Sequence, residues 1–248
     1  MFELSTSPQS IIGVLRNSFK LFKHTWLKLL PMAILVVGLT VILEMLLPKQ
    51  VNVTSAYMHH ISNRHLPIIL GIETVIFWLF LVMFYRCYRI MIAADVGYNE
   101  AVKVALRKFL PCLVALFLYV IIVFLGTLCF LIPGIFLALL LMYSAMSILI
   151  DDQRIFASLK YSAKLVWGNW WRILAFFLIY FIAILIVMLV IIFGMDLFIV
   201  RLLHVKMLNA IVLMNILGFV MILFFWISWI NIFICQYYDL KLRRQLKR

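Results

Sequence analysis

Between Phe109 and Ile150 the sequence runs for 42 residues without a charged side chain. At a rise of about 1.5 Å per residue, a single helix of that length would overshoot a hydrocarbon core about 30 Å thick by a factor of about two. The run therefore reads as two crossings joined by a tight reversal. Pro133 and Gly134 stand near its middle, where a missing N–H and the freedom to take positive φ favour a turn.

Four further apolar runs have the length of a crossing: Leu29 to Leu47, interrupted only by Glu44; Pro67 to Tyr85, carrying Glu73; Ile173 to Met195; and Ala210 to Tyr238, long enough to tilt or to project beyond the bilayer. The expected fold is all-α, a polytopic membrane bundle with spans at about 29–47, 67–85, 111–131, 134–150, 173–195 and 210–238. Composition agrees, with 67% apolar and 12% charged residues against roughly 45–50% and about 25% in soluble domains. Six spans use up most of residues 1–248, which read as a single integral membrane domain with no room for a separate soluble catalytic one. Because the runs are continuously apolar rather than alternating, they do not describe a closed β-barrel. The first run begins only after Lys28 and carries no small-x-small cleavage pattern, so it is expected to stay in the mature protein.

The net charge of +13 does not point to nucleic acid. Its basic residues form short clusters between apolar runs, outside any RNP, zinc-finger or helix-turn-helix framework. They are better read as topology. Eighteen lysines and arginines fall before span one, between spans two and three, between spans four and five, and after span six; the other side has only Lys49, Arg64, Arg201 and Lys206. The positive-inside rule then places both termini in the cytoplasm. Cys87, Cys112, Cys129 and Cys235 stand singly in apolar segments and read as small buried hydrophobes.

A displacement of 144 positions aligns the chain with itself without a gap. Ile11 meets Ile155, Leu15 meets Leu159, Arg16 meets Lys160, Ser18 meets Ser162, Lys20 meets Lys164, Leu21 meets Leu165, Trp26 meets Trp170, Lys28 meets Arg172 and Leu30 meets Leu174. A weaker third copy covers Glu100 to Leu110, with Val102, Ala105, Leu106 and Phe109 apolar and Lys103, Arg107 and Lys108 basic. Each copy has the pattern of an amphipathic helix lying in a membrane interface, expected over about 8–26, 98–110 and 153–169. Trp26, Trp170 and Trp171 mark the headgroup level at which the chain dives. The expected plan is three units, each an interfacial helix followed by a transmembrane hairpin, with N and C termini inside.

Glu44 and Glu73 are the carboxylates inside the apolar spans, and an ionisable group there is expensive enough to be a functional candidate. Glu44, within about a turn of Pro48, can equally snorkel. His59, His60 and His65 are placed in the loop between spans one and two, where imidazoles with a carboxylate can hold a metal, but their spacing matches no metal motif and solvated loop histidines are commoner. Asn52, Val53 and Thr54 spell a glycosylation sequon that arises readily by chance. Asp151 and Asp152 are expected to cap the following helix. Lys20, Arg86, Arg89, Lys164 and Arg172 are the candidate contacts to lipid phosphate. Asn215, Ser228 and Asn231 in span six are expected to bond to neighbouring helices. No residue set points to a catalytic or cofactor site, since nucleophile-elbow, P-loop, dinucleotide and zinc-protease motifs are absent from the sequence.

Ile132-Pro133-Gly134-Ile135, then Phe156-Ala157-Ser158-Leu159, Ser162, Leu165, Trp167 and Asn169 in that order, resemble the YciC-like family of uncharacterised bacterial inner-membrane proteins. The likeness covers roughly 40 residues and is looser elsewhere, at Arg16, Asn17 and the six-span pattern. Through the same Pro-Gly hairpin and Ser-x-x-Leu helix, the chain is distantly similar to the membrane domain of some glycerophosphodiester phosphodiesterases. The soluble catalytic barrel of those enzymes has no counterpart here. The resemblance implies a multi-pass location in a bacterial plasma (inner) membrane and supplies no catalytic residue. The leading expectation is a non-enzymatic protein whose basic helices bind membrane lipids with anionic headgroups and whose bundle assembles with itself or an envelope partner. The second is a small transporter or lipid-translocating protein using Glu73. A third, an intramembrane enzyme, needs Glu44, Glu73 and His65 to converge around a closed cavity.

Overall fold

In lipid, only a backbone that bonds to itself avoids stranding polar groups, so long apolar segments become helices regardless of fine differences in propensity. The computed structural model describes residues 7–46, 55–94, 96–195 and 207–246, with 55–65, 192, 195 and 207–215 described by backbone alone. It contains α1 (Ile11–Leu46), α2 (Ser55–Met91), α3 (Tyr98–Cys129), α4 (Leu131–Leu141), α5 (Ser144–Asp151), α6 (Ile155–Val166), α7 (Trp170–Met195) and α8 (Met207–Leu246). Among the described residues there is no strand. Six stretches are long and apolar enough to cross a membrane: Ile11–Leu46, Leu66–Met91, Tyr98–Cys129, Leu131–Asp151, Trp170–Ile191 and Ile216–Leu246. The chain has the make-up of a multi-pass membrane protein.

Two of the three expected interfacial helices are not separate elements. α1 passes without a break through Trp26 and over Pro31, and α3 does the same over Pro111. Each proline withholds one N–H from the carbonyl four residues back. Ending the helix there would release several more groups into apolar surroundings, so continuation is cheaper. Only the third stands apart, as α6, bounded by extended backbone at Arg154 and by a turn in which Gly168 takes φ 80, a conformation that favours glycine. His59, His60 and His65 fall on the first turns of α2 rather than in a loop, and their side chains lie outside the described residues. So do Lys49, Arg201, Lys206 and the Asn52-Val53-Thr54 sequon.

The long uncharged run does reverse once, but at Phe130, three residues before Pro133. Phe130 is extended (φ −164, ψ 153) and is the only residue between α3 and α4. Pro133 sits in the first turn of α4, where its missing N–H costs nothing. Gly134 serves contact rather than chain reversal: a Cβ added to it would lie 2.4 Å from Thr127 Cγ2 and 2.9 Å from Thr127 Cα. A Cβ on Gly126 would meet Leu137 Cδ1 at 2.6 Å and Gly134 Cα at 3.3 Å. The two arms of the hairpin thus touch backbone to backbone, the close approach by which helices gain van der Waals contact where lipid supplies no hydrophobic drive.

The return arm is broken between α4 and α5. Tyr143 (φ −93, ψ 7) leaves the helical ladder, and the hydroxyl of Ser162 on α6 fills the gap. It accepts from Tyr143 N–H at 3.2 Å and donates to Leu140 C=O at 2.7 Å. The Tyr143 ring is fully buried against Phe233 and Tyr237, and its hydroxyl donates to Gln236 Oε1 at 2.9 Å. A side chain inserted into the ladder is a recognised cause of a helix break.

Burial follows the internal repeat. On α1 the buried positions are Val14, Ser18, Leu21, Thr25, Leu29, Ala33, Val36 and Val37; displaced by 144, all but Thr25 and Val37 fall on buried residues, Ser158, Ser162, Leu165, Ile173, Phe177 and Tyr180, while Asn169 is half-buried and Phe181 exposed. On α3 the buried pair Ala101 and Ala105 lies 57 positions before Ser158 and Ser162. Thus each copy turns a small or short side chain inward at the same register. Cys87, Cys112 and Cys235 are buried as expected, whereas Cys129, the last residue of α3 at the tip of the hairpin, is exposed.

Candidate functional site

The polar side chains of the bundle gather at the end that holds Gln9, the start of α7 and the last turns of α8. Asp239 is buried there and is met from three sides. Gln9 N–H donates to Oδ1 at 2.7 Å, and Arg243 Nε and Arg172 Nη2 reach Oδ2 at 2.8 and 3.3 Å. Both arginines also donate to the Gln9 carbonyl, while Asn17 Nδ2 donates to Gln9 Oε1 at 2.8 Å. A carboxylate left alone at such burial would be costly, and this degree of pairing compensates it. The cluster fastens the segment ahead of α1 to α7 and α8.

Asp151 closes a second cluster. Its carboxylate accepts from Lys241 Nζ at 2.6 Å and from the Tyr237 hydroxyl. Burial, followed by the neighbouring Asp151 carboxylate, pushes the Tyr161 hydroxyl above the ordinary tyrosine range. Arg244 lies over the Tyr161 ring at 4.6 Å, and a cleft of about 140 Å³ opens between Tyr161, Lys241, Arg244 and Gln245. Asp151 and Asp152 do not cap α6, whose N-cap position is Arg154, with no side-chain cap. Asp152 instead ends α5 at φ 54 and pairs with Lys108 at 2.5 Å. Lys108 Nζ also donates to the carbonyls of Ile148 and Leu149 at 3.1 and 2.9 Å. A cation on the open carbonyls of a helix C-terminus complements its dipole.

The expected lipid contacts divide into two kinds. Arg86 is buried; its Nη1 donates to Lys28 C=O at 2.6 Å and its guanidinium covers the Tyr98 ring at 3.4 Å. Arg172 is held by Asp239 and Gln9, and Arg89 is half-buried near the Tyr85 ring. Lys20 and Lys164 are exposed, on the outward faces of α1 and α6. Arg16, Lys23, His24 and Lys28 are exposed on α1 as well, as are Arg154 at the N-cap of α6 and Lys160 on it, where Phe156 and Trp167 are also exposed.

Glu44 and Glu73 are both exposed, on the last turn of α1 and on α2. Neither lines the cleft at Tyr161 or either of the two larger recesses between helices. Among the described residues no group of three or more His, Cys, Asp or Glu could hold a metal ion. Asn231 behaves as expected of an intramembrane amide. Fully buried on α8, it accepts from Thr25 of α1 at 2.8 Å and from Cys87 of α2 at 3.3 Å, and it donates to Ile227 C=O at 2.7 Å. Asn215 lies on α8 with its side chain outside the described residues.

The larger of those recesses is a groove of about 600 Å³ between α1, α7 and α8. Its walls are apolar except for Ser18, Tyr180 and Ser228, and several wall residues, Phe19, Val187 and Phe224 among them, are themselves exposed, so the groove is open along one side. α7 reaches α8 here through large rings: Phe177, Tyr180 and Phe181 all pack on Trp229. Those rings hold the helix axes apart and leave the groove beyond them. The other recess, of about 280 Å³, lies between α2, α5 and α8 around Phe80, Met146 and Trp226. Sequence reasoning did not single out Lys23 or Tyr180. The available signal was Lys23 three residues after Lys20 on one helical face, and a hydroxyl within an otherwise apolar span. No family model, curated protein or solved structure matches the chain.

Proposed function

We propose that the chain is a non-enzymatic multi-pass protein of a bacterial inner membrane, with both termini cytoplasmic, which holds anionic phospholipid headgroups on basic helical faces and acts as an envelope scaffold. The observation that carries this is the division of cations. Lys108, Arg172, Lys241 and Arg243 are paired with Asp152, Asp239, Asp151 or helix-end carbonyls, and buried Arg86 donates to Lys28 C=O, whereas Arg16, Lys20 and Lys23 on α1, Lys103 and Arg107 on α3, and Lys160 and Lys164 on α6 are exposed. Their opposite faces carry buried small residues at matching register. The plan is then three units, in two of which the basic helix runs straight into its span. Location and orientation rest on the resemblance of the 132–169 region and on the distribution of basic residues. Assembly with further copies or an envelope partner has a ready surface in the outer face of α3, where Phe117, Phe124 and Leu128 are exposed.

Thermal unfolding of the purified full chain in neutral detergent tests the lipid role. Each lysine near an anionic surface contributes about 1 kcal/mol, and about 1 kcal/mol moves the midpoint by about 2–4 °C in a chain of this size. Phosphatidylglycerol should therefore raise the midpoint by several degrees more than phosphatidylcholine. The excess should fade with salt and in a variant with Lys20, Lys23, Lys160 and Lys164 all changed to Gln. Equal shifts with the two lipids would remove the proposal. Among the described residues Glu73 lines none of the recesses between helices, so no observation favours the transport alternative.

A further inference from the structure

We infer that the groove between α1, α7 and α8 is a binding site for one anionic phospholipid, with an acyl chain lying between α7 and α8, the phosphate on Lys20 and Lys23, and an ester carbonyl accepting from Tyr180. This rests on the reading of the protein as a binder of anionic lipid and assigns that property to one place. Three observations converge. First, the recess is about 600 Å³, within the range of about 300–1,000 Å³ typical of small-molecule sites. It is walled at its far end by Val187, Ile191, Leu217 and Met221. Such a surface accepts a hydrocarbon chain and offers nothing to a hydrophilic solute.

Second, the rim is charged on one side. Phe19 forms part of the α1 wall, and Lys23 Nζ lies 4.9 Å from the centroid of its ring. Lys20, adjacent in sequence and three residues from Lys23, shares that exposed face. A phosphate at the mouth would meet two cations, so the complementary occupant is an anionic amphiphile rather than a neutral one.

Third, one wall residue carries an unanswered donor. Tyr180 is 5% exposed; the Ser228 hydroxyl beside it interacts with its phenolic oxygen, but the Tyr180 O–H itself meets no acceptor in bonding geometry. A buried O–H without an acceptor carries a desolvation cost, which the carbonyl of a glycerol ester relieves by accepting it. A hydrocarbon chain alone would leave it unsatisfied.

The test uses the full chain in phosphatidylcholine nanodiscs doped with either phosphatidylglycerol or phosphatidylcholine bearing a photoactivatable diazirine on one acyl chain, with adducts mapped by mass spectrometry. The charged probe should label Val187, Met188, Val220 and Met221 well above Val114, Phe117 and Ile121 on the outer face of α3. The neutral probe should show no such contrast. Lys20→Gln with Lys23→Gln should cut groove labelling by the charged probe by about fivefold or more, the equivalent of one lysine at an anionic surface, and leave the neutral probe unchanged. Ala183→Trp, which fills the groove, should abolish the contrast. The lysine variant alters only exposed residues and keeps the experiment decisive if the tryptophan variant folds poorly. Equal labelling of groove and α3, or a contrast indifferent to both variants, overturns the site. If that happens while phosphatidylglycerol still raises the unfolding midpoint selectively, only the groove assignment is lost; if the midpoint effect is absent too, the broader lipid reading goes with it.

Discussion

Ser162 carries more of the structure than its size implies. Its hydroxyl serves both the N–H of Tyr143 and the carbonyl of Leu140 at the break between α4 and α5. Ser162→Ala strands two buried backbone groups at once. Each unsatisfied group costs about 1–3 kcal/mol, though an apolar chain segment can relax part of that by re-forming the ladder. The expected loss is therefore about 2 kcal/mol, read as a lowered unfolding midpoint in detergent. Ser158→Ala, whose hydroxyl only donates back to Ile155 within its own helix at 2.6 Å, should cost markedly less. Should the two substitutions prove equal, Ser162 is a packing residue and not the clamp of the break. The sequence marks Ser162 through its match with Ser18 across 144 positions, but the two serines do different work. Ser18 donates to Val14 C=O at 2.8 Å within an intact helix; repetition shows which positions turn inward, and only the neighbouring chain decides what they bond to.

At the scale of elements, the hairpin of α3 and α4 shows what could be read in advance and what could not. Length and the absence of charge required one reversal between Phe109 and Ile150, and there is one. Its position is set by contact. Gly134 must lie on Thr127, and that places the turn at Phe130. Gly134→Val should force the arms apart, because the obstructing atoms include the Thr127 backbone and not just a flexible chain end. Overpacking of that kind costs about 1–3 kcal/mol, visible as a lower unfolding midpoint, whereas Gly38→Val, where nothing lies within 4 Å of the added Cβ, should change little. Equal effects would mean the contact contributes nothing to stability. The basic stretches were legible as amphipathic because their inward and outward faces differ in polarity. Their continuity was not, because an amphipathic stretch followed by an apolar one reads as two segments, whereas α1 and α3 run unbroken over Pro31 and Pro111 where lipid forbids any open end. The groove was illegible altogether: it arises from ring size at Phe177, Phe181 and Trp229, which no one-dimensional pattern conveys.

For the whole molecule, the cluster around Asp239 fixes a relation that hydropathy alone supplies only by counting. Gln9 and Asp239 bond directly, so the two ends of the described chain lie at the same end of the bundle, whatever the number of crossings between them. On the proposed reading, the basic residues choose the side. These two arguments are independent, and fusions can separate them. Green fluorescent protein joined at either terminus should fluoresce, and alkaline phosphatase joined at either should be inactive, in cells expressing the full chain. If both termini instead report the outer side, the positive-inside assignment fails and the bundle stands. If they report opposite sides, the contact of Gln9 with Arg172, Arg243 and Asp239 is itself wrong, and with it the placement of α1 against α8. The charge division requires the first result. Lysines on α1 and α6 meet an anionic inner leaflet only if the end that holds Asp239 faces the cytoplasm, where surface potential attracts basic segments.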